Sequence, residues 1–197
     1  MTRIGIFGGV FSPPHNGHVA AARAFMEQMW LDYLYVIPTV APQEEKAVGD
    51  AHRIEMCRLA FAGTDGVCVS DMAITRDEKN DTAEILRELS GADRRLFLLT
   101  GTDTMLTLDK RSEAEEIFRL AYPVYVRRER DPFLDARIVE KISQYQQKYG
   151  KVVRRIVTEP IEISSSAVRA CVREGKTASS YLPPSVEKYI LDNHLYV

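Results

Sequence analysis

The run Gly8-Gly9-Val10-Phe11-Ser12-Pro13-Pro14-His15-Asn16-Gly17-His18 follows the apolar stretch Ile4, Ile6, Phe7 and precedes a helical pattern. It reads as strand, glycine loop and helix start, the place where an α/β protein presents bare backbone N–H groups to an anion. Glycines let the backbone approach a phosphate closely, and the prolines stiffen the loop. His15 falls just before the helix and His18 in its first turn, so both rings can face whatever occupies the helix N-terminus. An imidazolium there would add donors and positive charge to the amide dipoles. The bland alternative is a tight βα turn carrying two surface histidines. On either reading, neither ring is expected in the core.

Outward from this run, short apolar segments alternate with helical patterns to the end of the chain. Strands are expected over residues 3–7, 33–37, 67–70, 95–99, 123–127 and 152–157. A first helix over 18–31 carries Val19, Ala22, Phe25, Met26, Met29 and Trp30 at helical spacing. Ile54, Cys57, Ala60 and Phe61 mark a second. Asp81 followed by Glu84 reads as a capping box for a third, and Ser112 as the cap of a fourth. A long amphipathic helix over 134–149 ends at Gly150, and one over 165–174 ends at Gly175. Pro183-Pro184-Ser185 introduces a last helix through Asn193. This alternation predicts a Rossmann-like, doubly wound α/β fold: a mostly parallel sheet, helices on both faces and the C-terminal helices packed on it. Residues 1–197 read as a single domain. In such sheets, ligands lie at the carboxyl ends of the strands where the winding reverses.

Composition narrows the partners. The chain has 197 residues, 45% of them hydrophobic, and a formal net charge of −2, so it can bury a full core and does not suit a long polyanion. No nucleic acid is expected as partner, and any phosphate site must be local. The three cysteines, Cys57, Cys68 and Cys171, are widely spaced without C-x-x-C, which argues against a disulfide framework and a zinc site. No apolar run approaches the roughly 18 residues that span a membrane. Met1-Thr2-Arg3 leads straight into a strand rather than an apolar signal region, so a cytoplasmic protein without membrane attachment is expected. Nothing decides for or against a homo-oligomer.

A second phosphate motif stands near the C-terminus: Ile163-Ser164-Ser165-Ser166-Ala167-Val168-Arg169. Serines at a helix start supply hydroxyls and leave the first amides open. Side chains lean back toward the helix N-terminus, so Arg169 can reach an anion held there with a forked guanidinium. The bland reading is a serine cap with a solvated arginine. In Leu98-Leu99-Thr100-Gly101-Thr102-Asp103, Gly101 ends a strand and Asp103 can cap a helix or accept from ribose hydroxyls. Neither G-x-x-x-x-G-K-[ST] nor G-x-G-x-x-G occurs, which excludes a P-loop and a dinucleotide fingerprint.

The first run fills every specified position of G-x-F-x-P-x-H-x-G-H with Gly9, Phe11, Pro13, His15, Gly17 and His18. It resembles the motif of the nucleotidylyltransferase superfamily, in particular the nicotinate-nucleotide adenylyltransferase branch. The second motif is similar to that superfamily's I-S-S-T-x-[IV]-R, with Ser166 in place of threonine, and Gly101 and Asp103 match its G-x-D. The resemblance implies transfer of AMP from ATP to a small phosphorylated acceptor, with Mg²⁺ carried on the triphosphate and no dedicated metal cage. It implies His15, His18 and Arg169 as catalytic residues. Gly8, Gly9, Val10, Phe11, Gly101, Asp103, Ile163, Ser165 and Ser166 would form the ATP-binding set. Thr39, Lys46, Thr82 and Arg111 would meet the acceptor, expected to be nicotinate mononucleotide for NAD biosynthesis.

The middle of the chain departs from that branch. The family's I-P-N-x-x-P-P-H-[KR] stands here as Ile37-Pro38-Thr39-Val40-Ala41-Pro42-Gln43-Glu44-Glu45, with Lys46 next. Of S-Y-T-x-D-T only Asp81 and Thr82 match, and the tryptophan that stacks on the pyridine ring aligns with Arg111. Two alternatives follow: a sister enzyme with another acceptor, such as phosphopantetheine or nicotinamide mononucleotide, or with CTP as donor; and a nucleotide-binding protein that has lost turnover. A plain scaffold protein fits poorly with two intact phosphate motifs.

Overall fold

The computed structural model describes residues 1–41, 47–75, 82–127, 133–158 and 163–197. Six strands, β1 (Thr2–Gly9), β2 (Tyr33–Pro38), β3 (Val67–Val69), β4 (Arg94–Gly101), β5 (Ala121–Val126) and β6 (Arg154–Ile156), form one sheet in the order β3-β2-β1-β4-β5-β6. Every neighbouring pair is parallel. All six expected strands form, and the mostly parallel sheet is wholly parallel. The helices are α1 (Asn16–Gln28), α2 (Asp50–Phe61), α3 (Thr82–Leu89), α4 (Thr102–Thr107), α5 (Ala114–Leu120), α6 (Phe133–Tyr149), α7 (Ser165–Arg173) and α8 (Pro184–Asp192).

Strand side chains alternate between two apolar layers. Ile4, Ile6, Leu96 and Leu98 pack with Leu86 of α3, Ile117 of α5 and Ile138 of α6. Phe7, Phe97 and Leu99 face the other side, against Phe25 of α1, Met56 of α2, Val168 of α7 and Ile190 of α8. The strands are therefore covered on both faces, which is why they read as nearly continuous apolar runs. Gly5 lets α1 lie close on the sheet: a Cβ there would stand 2.5 Å from Leu31 Cδ1 and 2.8 Å from Phe25 Cε1. The C-terminal helices pack as expected. No helix among the described residues is long and apolar enough to cross a membrane.

Element ends show where local signals mislead. Gly150 and Gly175 adopt positive φ, at 63° and 67°, as C′ glycines should. Ser112 does not cap α5: its hydroxyl donates to Glu113 Oε2 at 2.9 Å, and Glu113 occupies the cap position. Asp103 is not a cap either, because Gly101 holds that position and Asp103 lies within the first turn of α4. That six-residue helix and the 3₁₀ turn Leu108–Lys110 after it are too short to show periodicity. The Asp81 capping box lies outside the described residues. The winding runs from β1 outward to β3 and then from β4 outward to β6, so the switch point falls between β1 and β4.

Candidate active site

A cavity of about 420 Å³ opens at that switch point. Phe7, Gly8 and Gly9 of β1, with Val10 and Phe11 of the following loop, form one wall; Leu98, Leu99, Thr100 and Gly101 of β4 form another. Thr104 and Leu108, His18 of α1, and Thr39, Thr82 and Arg111 complete the lining. Two strands end in glycine here, so no side chain blocks the backbone groups that face the space. The volume suits a small ligand of nucleotide scale.

The paired histidines are not at the surface. His15 is 1% exposed and His18 9% exposed, which corrects the expectation that neither belongs to the interior. His15 caps α1 with extended backbone, and its N–H donates to His18 Nδ1 at 3.2 Å. By that geometry Nδ1 is the acceptor and the His18 ring carries its N–H at Nε2. The two rings stack with centroids 3.7 Å apart. His18 also packs edge-on against Phe11 at 5.0 Å, and Phe11 against Phe7 at 5.3 Å. Phe11 holds φ at +49°, a conformation uncommon for a bulky side chain and sustained here by burial of its ring. The cause of the burial is loop packing: three aromatic rings converge on His18, which the sequence spacing alone does not reveal. Gly17 is equally constrained, because a Cβ would meet His15 Nδ1 at 3.0 Å and Ile163 Cγ2 at 3.2 Å.

The C-terminal motif meets the N-terminal one. Ser164 caps α7 by accepting from the Ala167 N–H at 3.2 Å. Ser165 Oγ donates to Pro13 O at 2.9 Å, and Arg169 Nη1 donates to Ser12 O at 2.7 Å. Ser166 is exposed, with its hydroxyl 2.9 Å from Ser164 Oγ, and Ile163 packs half-buried against the core. These residues are not among those lining the cavity, and they reach its loop through Ser12 and Pro13. Ser12 is also tied to the C-terminus, since its Oγ lies 2.9 Å from Tyr196 Oη. Burial pushes the Tyr196 phenol up to about 12, against the opposing effect of the Ser12 contact.

Arg111 is among the residues that line the cavity. Its Nη1 donates to Thr82 Oγ1 at 3.1 Å and lies 3.6 Å from Glu113 Oε1, while 40% of the side chain stays exposed. The turn that delivers it is held by Asp109, which accepts from Lys141 Nζ at 2.8 Å and lies 3.1 Å from the Tyr145 hydroxyl. Partial burial would raise the Asp109 carboxyl, but the Lys141 and Tyr145 contacts outweigh it and hold the group below its ordinary value. Asp103 is exposed and outside the cavity; Thr104, one residue on, lines it instead, together with Thr100. Lys46 lies outside the described residues. Arg53 is the residue that sequence reasoning missed: it is 0% exposed and holds Val10 O and Thr39 O. A signal existed, because Arg53 falls on the same stripe of α2 as Met56, Cys57 and Ala60, where an apolar residue is expected.

A switch-point cavity walled by a glycine loop and lined by His18, whose ring stacks on His15, with an arginine-bearing helix tied to the same loop, fits a nucleotidyltransferase. The model of the cytidylyltransferase-like family matches residues 6–171. A probable nicotinate-nucleotide adenylyltransferase of Lachnoclostridium phytofermentans is 30% identical over 100% of both chains. One from Gemmatimonas aurantiaca is 31% identical over 98% of this chain and 92% of its own. The chain belongs to the cytidylyltransferase-like family, in its nicotinate-nucleotide adenylyltransferase branch. Among solved structures, Plasmodium falciparum nicotinic acid mononucleotide adenylyltransferase complexed with NaAD shares the fold, with a TM-score of 0.80 at 18% identity, covering 100% of this chain and 98% of that one.

Proposed function

We propose that this chain transfers the AMP part of ATP to the phosphate of nicotinate mononucleotide and releases pyrophosphate, a step of NAD biosynthesis. One observation carries the reading: the glycine loop, His18 and Arg111 line a single cavity. The same cavity thus offers backbone amides and a histidine for a phosphate and a forked cation for a carboxylate, which are the two needs of an acceptor bearing both groups. The acceptor's phosphate oxygen attacks the α-phosphorus in line. A new P–O bond forms while the bond to the bridging oxygen breaks, and pyrophosphate leaves with the electron pair. A phosphate monoester needs no strong base at neutral pH, so positioning and charge stabilisation do the catalysis.

The local contacts support the following roles. His18, with its N–H at Nε2, donates to the transferring phosphoryl group, and His15 holds it in place by stacking. Arg169 donates to Ser12 O beside the glycine loop, and its guanidinium would bring positive charge to the β and γ phosphates. Among the described residues no group of three or more His, Cys, Asp or Glu is placed to hold a metal. Mg²⁺ is expected to be carried on the triphosphate, where it would supply charge neutralisation for the departing pyrophosphate. A second reading, a different phosphorylated acceptor, is favoured by Arg111 itself, since Glu113 already partly balances its charge. The test is pyrophosphate release from Mg·ATP with nicotinate mononucleotide, nicotinamide mononucleotide and phosphopantetheine as separate acceptors. Fastest release with nicotinate mononucleotide is expected, and release with another acceptor but not with it would overturn the assignment.

A further inference from the structure

Arg53 has no exposed surface, yet it sits on an apolar stripe of α2. Its Nη1 donates to Val10 O at 2.6 Å and to Thr39 O at 2.7 Å, and its Nη2 to Asp50 Oδ1 at 2.5 Å. Both hydrogens of Nη1 are thus spent on backbone carbonyls beyond the ends of two adjacent strands. An ion pair with Asp50 alone would not require this burial, because the Asp50 side chain is 51% exposed. Burying a guanidinium is costly, so the carbonyl bonds call for a reason.

A trans peptide unit points its C=O and its N–H in opposite directions. Holding Val10 O toward α2 therefore turns the Phe11 N–H the other way, and Val10 and Phe11 both line the cavity. The neighbouring carbonyls are engaged in the same manner. Gly9 O accepts from Thr39 N–H at 2.9 Å, Ser12 O from Arg169, and Pro13 O from Ser165. Carbonyl oxygens repel a phosphate, while amide hydrogens attract it. A loop whose Gly9, Val10, Ser12 and Pro13 carbonyls are engaged by protein donors is left with its amides for an anion.

We infer that Arg53 is a positioning residue: it withdraws the Val10 carbonyl and sets the Phe11 N–H toward the phosphates of the bound nucleotide. The inference rests on the reading above only in naming ATP as that nucleotide. It acts through the loop and touches no substrate. Arg53→Met keeps most of the volume and loses both carbonyl bonds, whereas Arg53→Lys offers three N–H donors to the same three acceptors.

The experiment is calorimetric titration of wild type, Arg53→Met and Arg53→Lys with Mg·ATP and, separately, with adenosine. Arg53→Met should weaken Mg·ATP binding about tenfold or more and leave adenosine binding within about twofold, and Arg53→Lys should restore most of the loss. Equal weakening of both ligands would reduce Arg53 to a structural role and overturn the inference, as would unchanged Mg·ATP binding in Arg53→Met. Should Arg53→Met not fold, the wild-type Phe11 amide resonance decides: it must move with Mg·ATP and not with adenosine, and indifference to Mg·ATP refutes the proposal. Acceptor turnover enters neither measurement, so failure of the nicotinate assignment would leave this test standing.

Discussion

Gly17→Ala separates folding from catalysis at the histidine pair. Gly17 is the second residue of α1, and alanine is the better helix former there by about 0.5–1 kcal/mol. The added Cβ would lie 3.0 Å from His15 Nδ1, 3.1 Å from its Cε1 and 3.2 Å from Ile163 Cγ2. None of these contacts is below 3.0 Å, so the structure yields by a few tenths of an ångström rather than breaking. His15 cannot retreat freely, because it is buried and stacked 3.7 Å from His18, so the shift passes into the pair. Propensity gained and contact strain nearly cancel, leaving Tm within about 3 °C of wild type for a chain of this size. Misplacing a catalytic group by about 1 Å can cost on the order of 10²-fold, so a smaller shift should lower kcat about tenfold. Thermal melts and steady-state pyrophosphate release on one preparation check both halves. Wild-type kcat in Gly17→Ala would refute the argument that glycine is there to seat His15.

The other expectations concern single side chains. His18→Ala should lower turnover on the order of 10²-fold and, because the ring is buried among aromatics, also lower stability by about 1–3 kcal/mol; unchanged turnover would remove His18 from the mechanism. Arg169→Lys keeps the charge but loses the fork, so the KM for ATP should rise or transfer slow, with acceptor KM nearly intact; unaltered ATP kinetics in Arg169→Ala would leave Arg169 as a strap on Ser12. Arg111→Ala should narrow the ratio of kcat/KM for nicotinate over nicotinamide mononucleotide, and a strong acid preference that survives the mutation would show that Arg111 does not read the carboxylate.

Much of the architecture was legible along the chain because it depends on local periodicity. Apolar runs separated by helical patterns imply parallel strands with crossover helices, and Gly8, Gly9, His15, Gly17, His18 and Arg169 declare their chemistry by order and type. What needed the tertiary structure was everything set by chain segments distant in sequence. His18 is buried because Phe7 and Phe11 pack against its ring, and His15 is stacked on it. That Thr104 lines the cavity follows from where a short, unpatterned helix begins. Arg53 lies 43 residues from the Val10 carbonyl it holds, and Arg169 lies 157 from Ser12. Hydrogen bonds to backbone carbonyls carry no residue-type code, since every residue has one, so no sequence pattern could name those partners. Side-chain identity determined which groups could bind phosphate, and the folded loop decided which way its peptides face.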